Sequence, residues 1–393
     1  MPSNRLYNTI FKWINQQWPR WRVTQKRNLA WLLVGIYLAK SVLLNKIALE
    51  IPGQAVEVSV IKRLSRFLGN PVLQVRTCYD PLVQPLLQSI AQFGCVRLIV
   101  DGTKVGPYHQ LLMVSVAYRR RAIPVAWTWV PHVRGHSSAR CQLGLLEHVR
   151  RLLPSNTKVL LVGDAEFGSI EVLRQLDQWQ WQYVLRQKSN HWVQLPGKDW
   201  QDFGSLVKKG QSLWLGKGLL TNQHQYSVNL LAHWQPKEDD PWLLATNLDQ
   251  HHLALRAYSR RMWTEEMFGD LKGHGFDLES SHLKSFVKLS RLTFAVVLLY
   301  VWSISYGSHI AHTNQRRWVD RSDRGDLSIF QVGFRMIQRI IKKDMDIHLS
   351  FFIALRFPNL QPNFCATRSD SLKNGIESQD FGFGSGACAW SQG

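Results

Sequence analysis

At Val96 the chain changes texture, and the order of the segments beyond it leaves few architectures open. VRLIVDGTKV, YHQLLMVSVAYRRR and IPVAWTWVP are β-rich runs separated by turns at Gly106-Pro107 and near Arg121 to Ile123. They read as three sequential antiparallel strands. Helical HSSARCQLGLLEHVRRLL comes next, then the strand TKVLLVGDAEF, the helix SIEVLRQLDQW and the strand WQYVLRQ. The succession β-β-β-α-β-α-β predicts an α/β (mixed) fold, in which helices cover a sheet with both parallel and antiparallel neighbours.

The flanks are different. Residues 1–95 lack strand alternation, and apolar residues recur at intervals of three and four, which predicts a helical domain. Within it, SVLLNKIALEIPG followed by Lys62, Arg63 and Arg66 fits a helix-turn-helix laying cations on phosphates, or a small bundle with a basic outer face. The core, residues 96–305, is interrupted at about 191–240 by short Trp- and Gly-punctuated strands. Residues 306–357 read as a helical C-terminal region containing the basic amphipathic FRMIQRIIKK, and the Gly/Ser-rich residues 358–393 as a flexible tail.

Lysine and arginine number 48 against 28 acids, a formal charge of +20, which favours a polyanionic partner, nucleic acid before a membrane surface. Leu29 to Leu44 is broken by Lys40, and Leu292 to Ile310 carries serines, tyrosines and Gly307; both read as buried helices, so no membrane partner is expected. Five scattered cysteines without ligand spacing fit a reducing compartment and exclude a zinc site. His109, His132, His136 and His274 have no pairing at metal-ligand spacing. There is no Gly-rich phosphate loop, because GSGAC lies in the tail and GHGFD lacks a preceding strand, so no nucleotide cofactor is implied.

Acids are scarce between Val96 and Ile170: Asp101, Glu147, Asp164 and Glu166. Asp101 follows VRLIV and Asp164 follows VLLVG, so both stand at the ends of apolar strands, where a carboxylate suffers desolvation. On neighbouring strands about 4.8 Å apart the two would project side by side. Such a pair suits divalent ions held for in-line phosphoryl transfer, and oxygen-only ligation selects Mg²⁺ or Mn²⁺, two ions being the usual arrangement. A third acid comes from the stretch YSRRMWTEEMFGDLKGHGFDLE, Tyr258 to Glu279, which reads as one helix. At about 100° per residue, Tyr258, Arg261, Glu265 and Lys272 fall at about 0°, 300°, 340° and 320°, on one face. Glu166 and Glu266 compete for the role but lie off that cationic face.

The spacing Tyr-x2-Arg-x3-Glu-x6-Lys, with Trp263, Phe268 and Leu271 in keeping, resembles the signature of DDE transposases of the insertion-sequence-four family. The resemblance spans roughly Arg27 to Ile340 and implies a ribonuclease-H-like core, whose strand order the β-β-β-α-β-α-β pattern shares, with a β-rich insertion before the helix of the third acid. It matches Asp101, Asp164 and Glu265 to the catalytic, metal-binding trio, and it implies that Tyr258, Arg261 and Lys272 contact DNA. Trp263, like Trp192, Trp200 and Trp214 of the insertion, is a candidate for stacking on unpaired bases. It further implies cut-and-paste transposition in a bacterial cytoplasm at the nucleoid, on double-stranded terminal repeats and target DNA, by a homodimer on DNA. Ala165 stands where relatives more often carry a basic residue. Two alternatives stay open at this point: a ribonuclease-H-like DNA nuclease that hydrolyses without joining, and a catalytically idle DNA-binding protein. For joining, further cations are present in Arg119, Arg120 and Arg121 and in Arg335, Arg339, Lys342 and Lys343.

Overall fold

The computed structural model describes residues 2–131, 137–313, 315–321, 325–343 and 345. His132, His136 and the tail at 358–393 lie outside them. The N-terminal part is helical: α1 (Pro2–Gln17), α2 (Val23–Ala39), α3 (Leu44–Leu49), α4 (Glu57–Gly69) and α5 (Val75–Gln92). Then come β1 (Val96–Val105), β2 (His109–Tyr118), β3 (Arg121–Pro131), α6 (Ala139–Leu152), β4 (Val159–Gly163), α7 (Ile170–Gln178) and β5 (Gln182–Arg186), in the order that the apolar patterning predicts. The turn into β3 is tighter than expected. Arg119 and Arg120 make it alone with φ of 45° and 60°, the left-handed pair that joins strands in a two-residue hairpin.

The insertion supplies β6 (Trp192–Gln194), β7 (Gln201–Asp202), β8 (Ser212–Leu220) and β9 (Tyr226–His233), and β10 (Trp242–Thr246) returns to the core. These strands do not form a separate body. They extend one ten-stranded sheet of order β3-β2-β1-β4-β5-β10-β9-β8-β6-β7. β1, β4 and β5 are parallel neighbours, β2 and β3 run antiparallel on one side, and β10 closes antiparallel on β5. All of β4 is buried, as a strand covered on both faces must be, which is why its sequence VLLVG shows no alternation.

Past β10 the chain forms α8 (His251–Tyr258), a 3-10 turn (Ser259–Arg261), α9 (Met262–Leu271), α10 (Phe286–His312) and α11 (Ile329–Lys342). α10 is long and apolar enough to cross a membrane, but most of it is buried inside the protein, and it serves as the core helix against which the other layers pack. α11 crosses it at backbone distance. A Cβ at Gly307 would stand 1.9 Å from the Ile329 carbonyl oxygen and one at Gly333 1.8 Å from that of Ser303, so only glycine permits the crossing.

The N-terminal helices are tied to this core by buried polar bonds. Tyr37 of α2 donates to the Phe334 carbonyl of α11 at 2.7 Å, and Tyr79 of α5 to the Pro124 carbonyl of β3 at 2.6 Å. Arg291 of α10 donates to the Leu68 and Leu73 carbonyls at 2.7 and 2.8 Å, satisfying one acceptor at the end of α4 that helix geometry leaves orphaned and one in the connection to α5.

Candidate active site

The parallel register aligns Val100 of β1 with Gly163 of β4, so one step further Asp101 stands beside Asp164. The two differ in placement. Asp164 is the first residue after β4 and opens a 3-10 turn over Ala165–Phe167, whereas Asp101 lies inside β1, opposite Met113 of β2. The expectation that both end their strands is corrected for Asp101: β1 continues to Val105 because it pairs with β2 through Lys104 and Val105.

The predicted single helix from Tyr258 to Glu279 is broken. α8 ends at Tyr258, the 3-10 turn carries the chain to Arg261, and α9 starts afresh. Tyr258, Arg261 and Glu265 nonetheless share a face. A 3-10 step eclipses residues three apart, and an α-helical step then brings residues four apart together. Lys272 is lost from that face because α9 stops at Leu271 and Lys272 adopts φ −95° and ψ −126°. Its Nζ donates to the Lys104 carbonyl at 2.8 Å and pairs with Glu279.

Arg261 organises the site. One terminal nitrogen donates to Asp101 Oδ2 at 3.0 Å and the other to Glu265 Oε1 at 2.6 Å, so a single buried guanidinium joins the strand acid to the helix acid. Its carbon lies 5.9 Å from the centre of the Tyr258 ring, which in turn meets Trp242 edge-on at 5.0 Å. Asp101 also accepts the Gly102 N–H at 2.8 Å. Asp164 is held more loosely: Arg186 approaches its Oδ1 to 3.7 Å, and that oxygen is buried without a hydrogen-bond partner among the described residues.

The electrostatics follow from this packing. Burial pushes the Asp101 carboxyl up to about 7. Arg261 and the Gly102 N–H oppose the rise, and the charges of Asp164 and Glu265 add to it. Burial alone would discharge Arg261, but Asp101, Tyr258, Asp164 and Glu265 together hold it firmly protonated. A fixed cation beside Asp101 limits that rise without cancelling it.

Tyr258 is 1% exposed, and its hydroxyl has no hydrogen-bond partner among the described residues; burial raises its pKa above the usual phenol range. Trp263 is partly buried against the core. Neither Tyr258 nor Arg261 is on the open surface in this structure. Arg121, expected among the free cations, instead bonds to buried Asp270 at 2.8 Å and to Glu266 at 3.2 Å. Arg335, Lys342 and Lys343 are exposed on or just beyond α11, with Arg339 partly so.

Two features carry little or no signal in the sequence. Arg186 reaches Asp164 from the end of β5, and its distance along the chain gives no hint of the contact. Glu166 serves as a staple. It accepts from Gln110 at 2.8 Å, from the Ser137 N–H at 2.7 Å and from the Ser137 hydroxyl, while Gln142 bonds its carbonyl at 3.0 Å. Its two-residue offset from Asp164 is visible in the sequence, but its partners come from β2 and the start of α6. Among the described residues no group of three or more His, Cys, Asp or Glu side chains is arranged to hold a metal ion.

Residues 128–302 match the family model described as the transposase DDE domain. That stretch is less than half of the chain. The match supports a DDE transposase. It takes in Asp164 and Glu265 and begins beyond Asp101. Among solved structures, the piggyBac transposase synaptic complex with hairpin DNA is similar over 96% of this chain and 84% of that chain, at 12% identity and a TM-score of 0.37. No curated protein matches the chain.

Proposed function

We propose that the chain is a DDE transposase of the insertion-sequence-four type that cuts transposon ends and joins them to target DNA, acting in the bacterial cytoplasm. The observation that carries this reading is the convergence on Arg261 of acids from two distant parts of the chain, beside a third acid that keeps an unsatisfied oxygen. Strand order supports it too, since the five strands in sequence β1 to β5 stand in the order β3-β2-β1-β4-β5 expected of a ribonuclease-H-like core, with the insertion prolonging the sheet.

Such an enzyme implies divalent metal, and the residues suit it by chemistry: Asp101, Asp164 and Glu265 offer oxygen donors alone, which favour Mg²⁺ or Mn²⁺, and the lone Asp164 oxygen is a coordination valence in waiting. Bound there, the metal would supply charge stabilisation for the attacking and leaving oxygens of an in-line displacement. The contribution of the chain is separate. Arg261 neutralises the acids and orients Asp101 and Glu265 toward one another, Gly102 fixes the Asp101 carboxylate through its N–H, and Glu166 braces the loop beside Asp164. With Arg261 bonded to two of the three acids, its move from carboxylate to phosphate on DNA binding is part of the proposal, because a guanidinium matches either oxyanion.

The test is joining. A pre-cut DNA end with a 3′-hydroxyl, incubated with full-length protein, Mg²⁺ and target plasmid, is expected to give covalently joined products, and a dideoxy-terminated end none. Equal products from both ends would leave hydrolysis alone and replace the transposase by a nuclease.

A further inference from the structure

Glu166 stands outside the trio, yet both of its carboxylate oxygens are engaged. It belongs to the 3-10 turn Ala165–Phe167 that Asp164 opens, and Phe167, 1% exposed, pins that turn in the core. One oxygen accepts the Ser137 N–H at 2.7 Å together with the Ser137 hydroxyl, and the other accepts the Gln110 amide at 2.8 Å. Gln142, in the first turn of α6, closes the group by donating to the Ser137 hydroxyl and to the Glu166 carbonyl, each at 3.0 Å. Gln110 and Gln142 are buried, and neither side-chain oxygen has a hydrogen-bond partner among the described residues. Each amide is therefore held from its nitrogen side.

The group reaches both aspartates. Asp164 lies at the start of the same tight turn. Asp101 is reached through Gly102, whose N–H it accepts at 2.8 Å. A Cβ at Gly102 would stand 2.6 Å from the Gln110 amide nitrogen and 3.5 Å from Glu166 Oε2, so the backbone of β1 just past Asp101 lies directly against the pair formed by Glu166 and Gln110. Parallel pairing aligns the strands that carry the two aspartates, but it leaves their side chains free to turn, and carboxylates so close repel one another.

We propose that Glu166 is a positioning residue: through its turn, and through Gln110 and Gly102, it sets the distance and facing of the Asp101 and Asp164 carboxylates so that together they hold a divalent cation. The inference deepens the function proposed above and rests on these acids being the ones that take the cation. Hydrogen bonds that orient the ligands of a metal typically contribute about 10- to 100-fold to its affinity. Both Glu166 oxygens face N–H or O–H donors, whereas Asp164 Oδ1 has none among the described residues. The geometry therefore gives Glu166 the bracing part and Asp164 the binding part.

The experiment reads cation binding with no DNA present. Full-length protein is titrated with Mn²⁺, and the free ion is followed by its electron paramagnetic resonance signal. The parent is expected to take up Mn²⁺, and Asp164→Asn to lose that uptake. Glu166→Gln removes one charge but keeps an oxygen for Ser137, and its new N–H meets the Gln110 side-chain oxygen once that amide turns over. Its Mn²⁺ affinity should stay within about threefold of the parent, the effect of one charge acting through water. Glu166→Ala keeps neither bond and should weaken Mn²⁺ about 10- to 100-fold. Gln110→Ala, which leaves the charge in place, should weaken it about tenfold, and the double variant should bind no more weakly than Glu166→Ala, because both act along one path. Where Glu166→Ala does not fold, Gln110→Ala against Glu166→Gln draws the same distinction. Equal affinities in the alanine and glutamine variants would overturn the inference, as would a parent that takes up no Mn²⁺. So would a Glu166→Gln protein that loses the ion as completely as Asp164→Asn, since Glu166 would then be a ligand. These ratios in a protein that never joins DNA would sink the transposase reading and leave the brace, and joining by a protein in which the ratios fail would do the reverse.

Discussion

α9 carries two consecutive glutamates, and each serves a different arginine. Glu265 bonds to Arg261, which also holds Asp101; Glu266 pairs with Arg121, which also holds Asp270. The two clusters are built from the same parts: one buried aspartate, one mostly buried arginine and one glutamate open to solvent, 47% exposed in the first case and 56% in the second. In both, burial lifts the aspartate to about 7 against the pull of its arginine. What separates them is a fourth group. Asp164 stands beside Asp101 with a buried oxygen that makes no hydrogen bond among the described residues, whereas the charges that act on Asp270 are those of Arg121 and Glu266. One cluster ties α9 to β3 with both acids on its arginine; in the other a third acid lies off Arg261, which is the condition for accepting another cation.

The widest separation between the clusters should appear on removing each buried aspartate. Asp270→Ala leaves Arg121 with the exposed Glu266 and the Arg120 carbonyl, and breaking a buried pair in this way costs about 3–5 kcal/mol; a large fall in melting temperature at pH 8 is expected, with joining per folded molecule retained. Asp101→Asn keeps the shape and removes a desolvated charge crowded by those of Asp164 and Glu265, whereas Asp270 has only Glu266 against it. Its melting temperature should hold or rise, and metal-dependent cleavage should vanish, as it should for Asp164→Asn. Functional sites commonly trade stability for chemistry in this way. Cleavage surviving in Asp101→Asn, or a normal melting temperature in Asp270→Ala, would erase the distinction.

A smaller effect follows from pH. In the unfolded chain Asp270 titrates near the ordinary value of about 4, and in the folded protein burial raises it to about 7. Between those values the folded state binds the extra proton, so stability due to this group is greatest below about pH 4, falls as pH rises toward 7 and is flat above. Chemical denaturation across that range should show the fall, and Asp270→Asn should flatten it. Should the variant keep the slope of the parent, the Arg121 pair holds Asp270 ionised and the likeness between the clusters fails.

How much of this contrast is legible in the sequence depends on which bonds are local. The apolar runs VRLIV and VLLVG announce the strands that carry Asp101 and Asp164, whereas it is the parallel pairing of β1 with β4, open in the sequence, that makes them neighbours. The i, i+4 spacing announces Arg261 with Glu265. Hidden are the partners that tertiary packing chooses. Arg121 looks like one more surface cation in an arginine run, and only its burial beneath α9 makes it the mate of Asp270. The end of α9 is marked by Gly273 and Gly275, the usual stop signal, and helical spacing carried past it projects Lys272 onto a face that it does not share. The insertion carries strand signals but no sign that its strands join the main sheet.

The finest test uses the adjacent glutamates themselves. Glu266→Gln touches an exposed carboxylate whose arginine keeps Asp270, and exposed ion pairs contribute about 0–1 kcal/mol. Its melting temperature should move by a degree or two at most, and its joining rate should stay within about twofold of the parent. Glu265→Gln is equally exposed and alters the same chemical group one residue earlier, so its effect on folding should be as slight, yet joining should be lost because it removes the acid that meets Asp101 across Arg261. The pair thereby holds helix, residue type and exposure nearly constant and varies only which arginine is faced. If the two variants joined DNA at the same rate, the position of Glu265 opposite Asp101 would have no chemical meaning, and the trio would have to be rebuilt around Glu166 or Glu266.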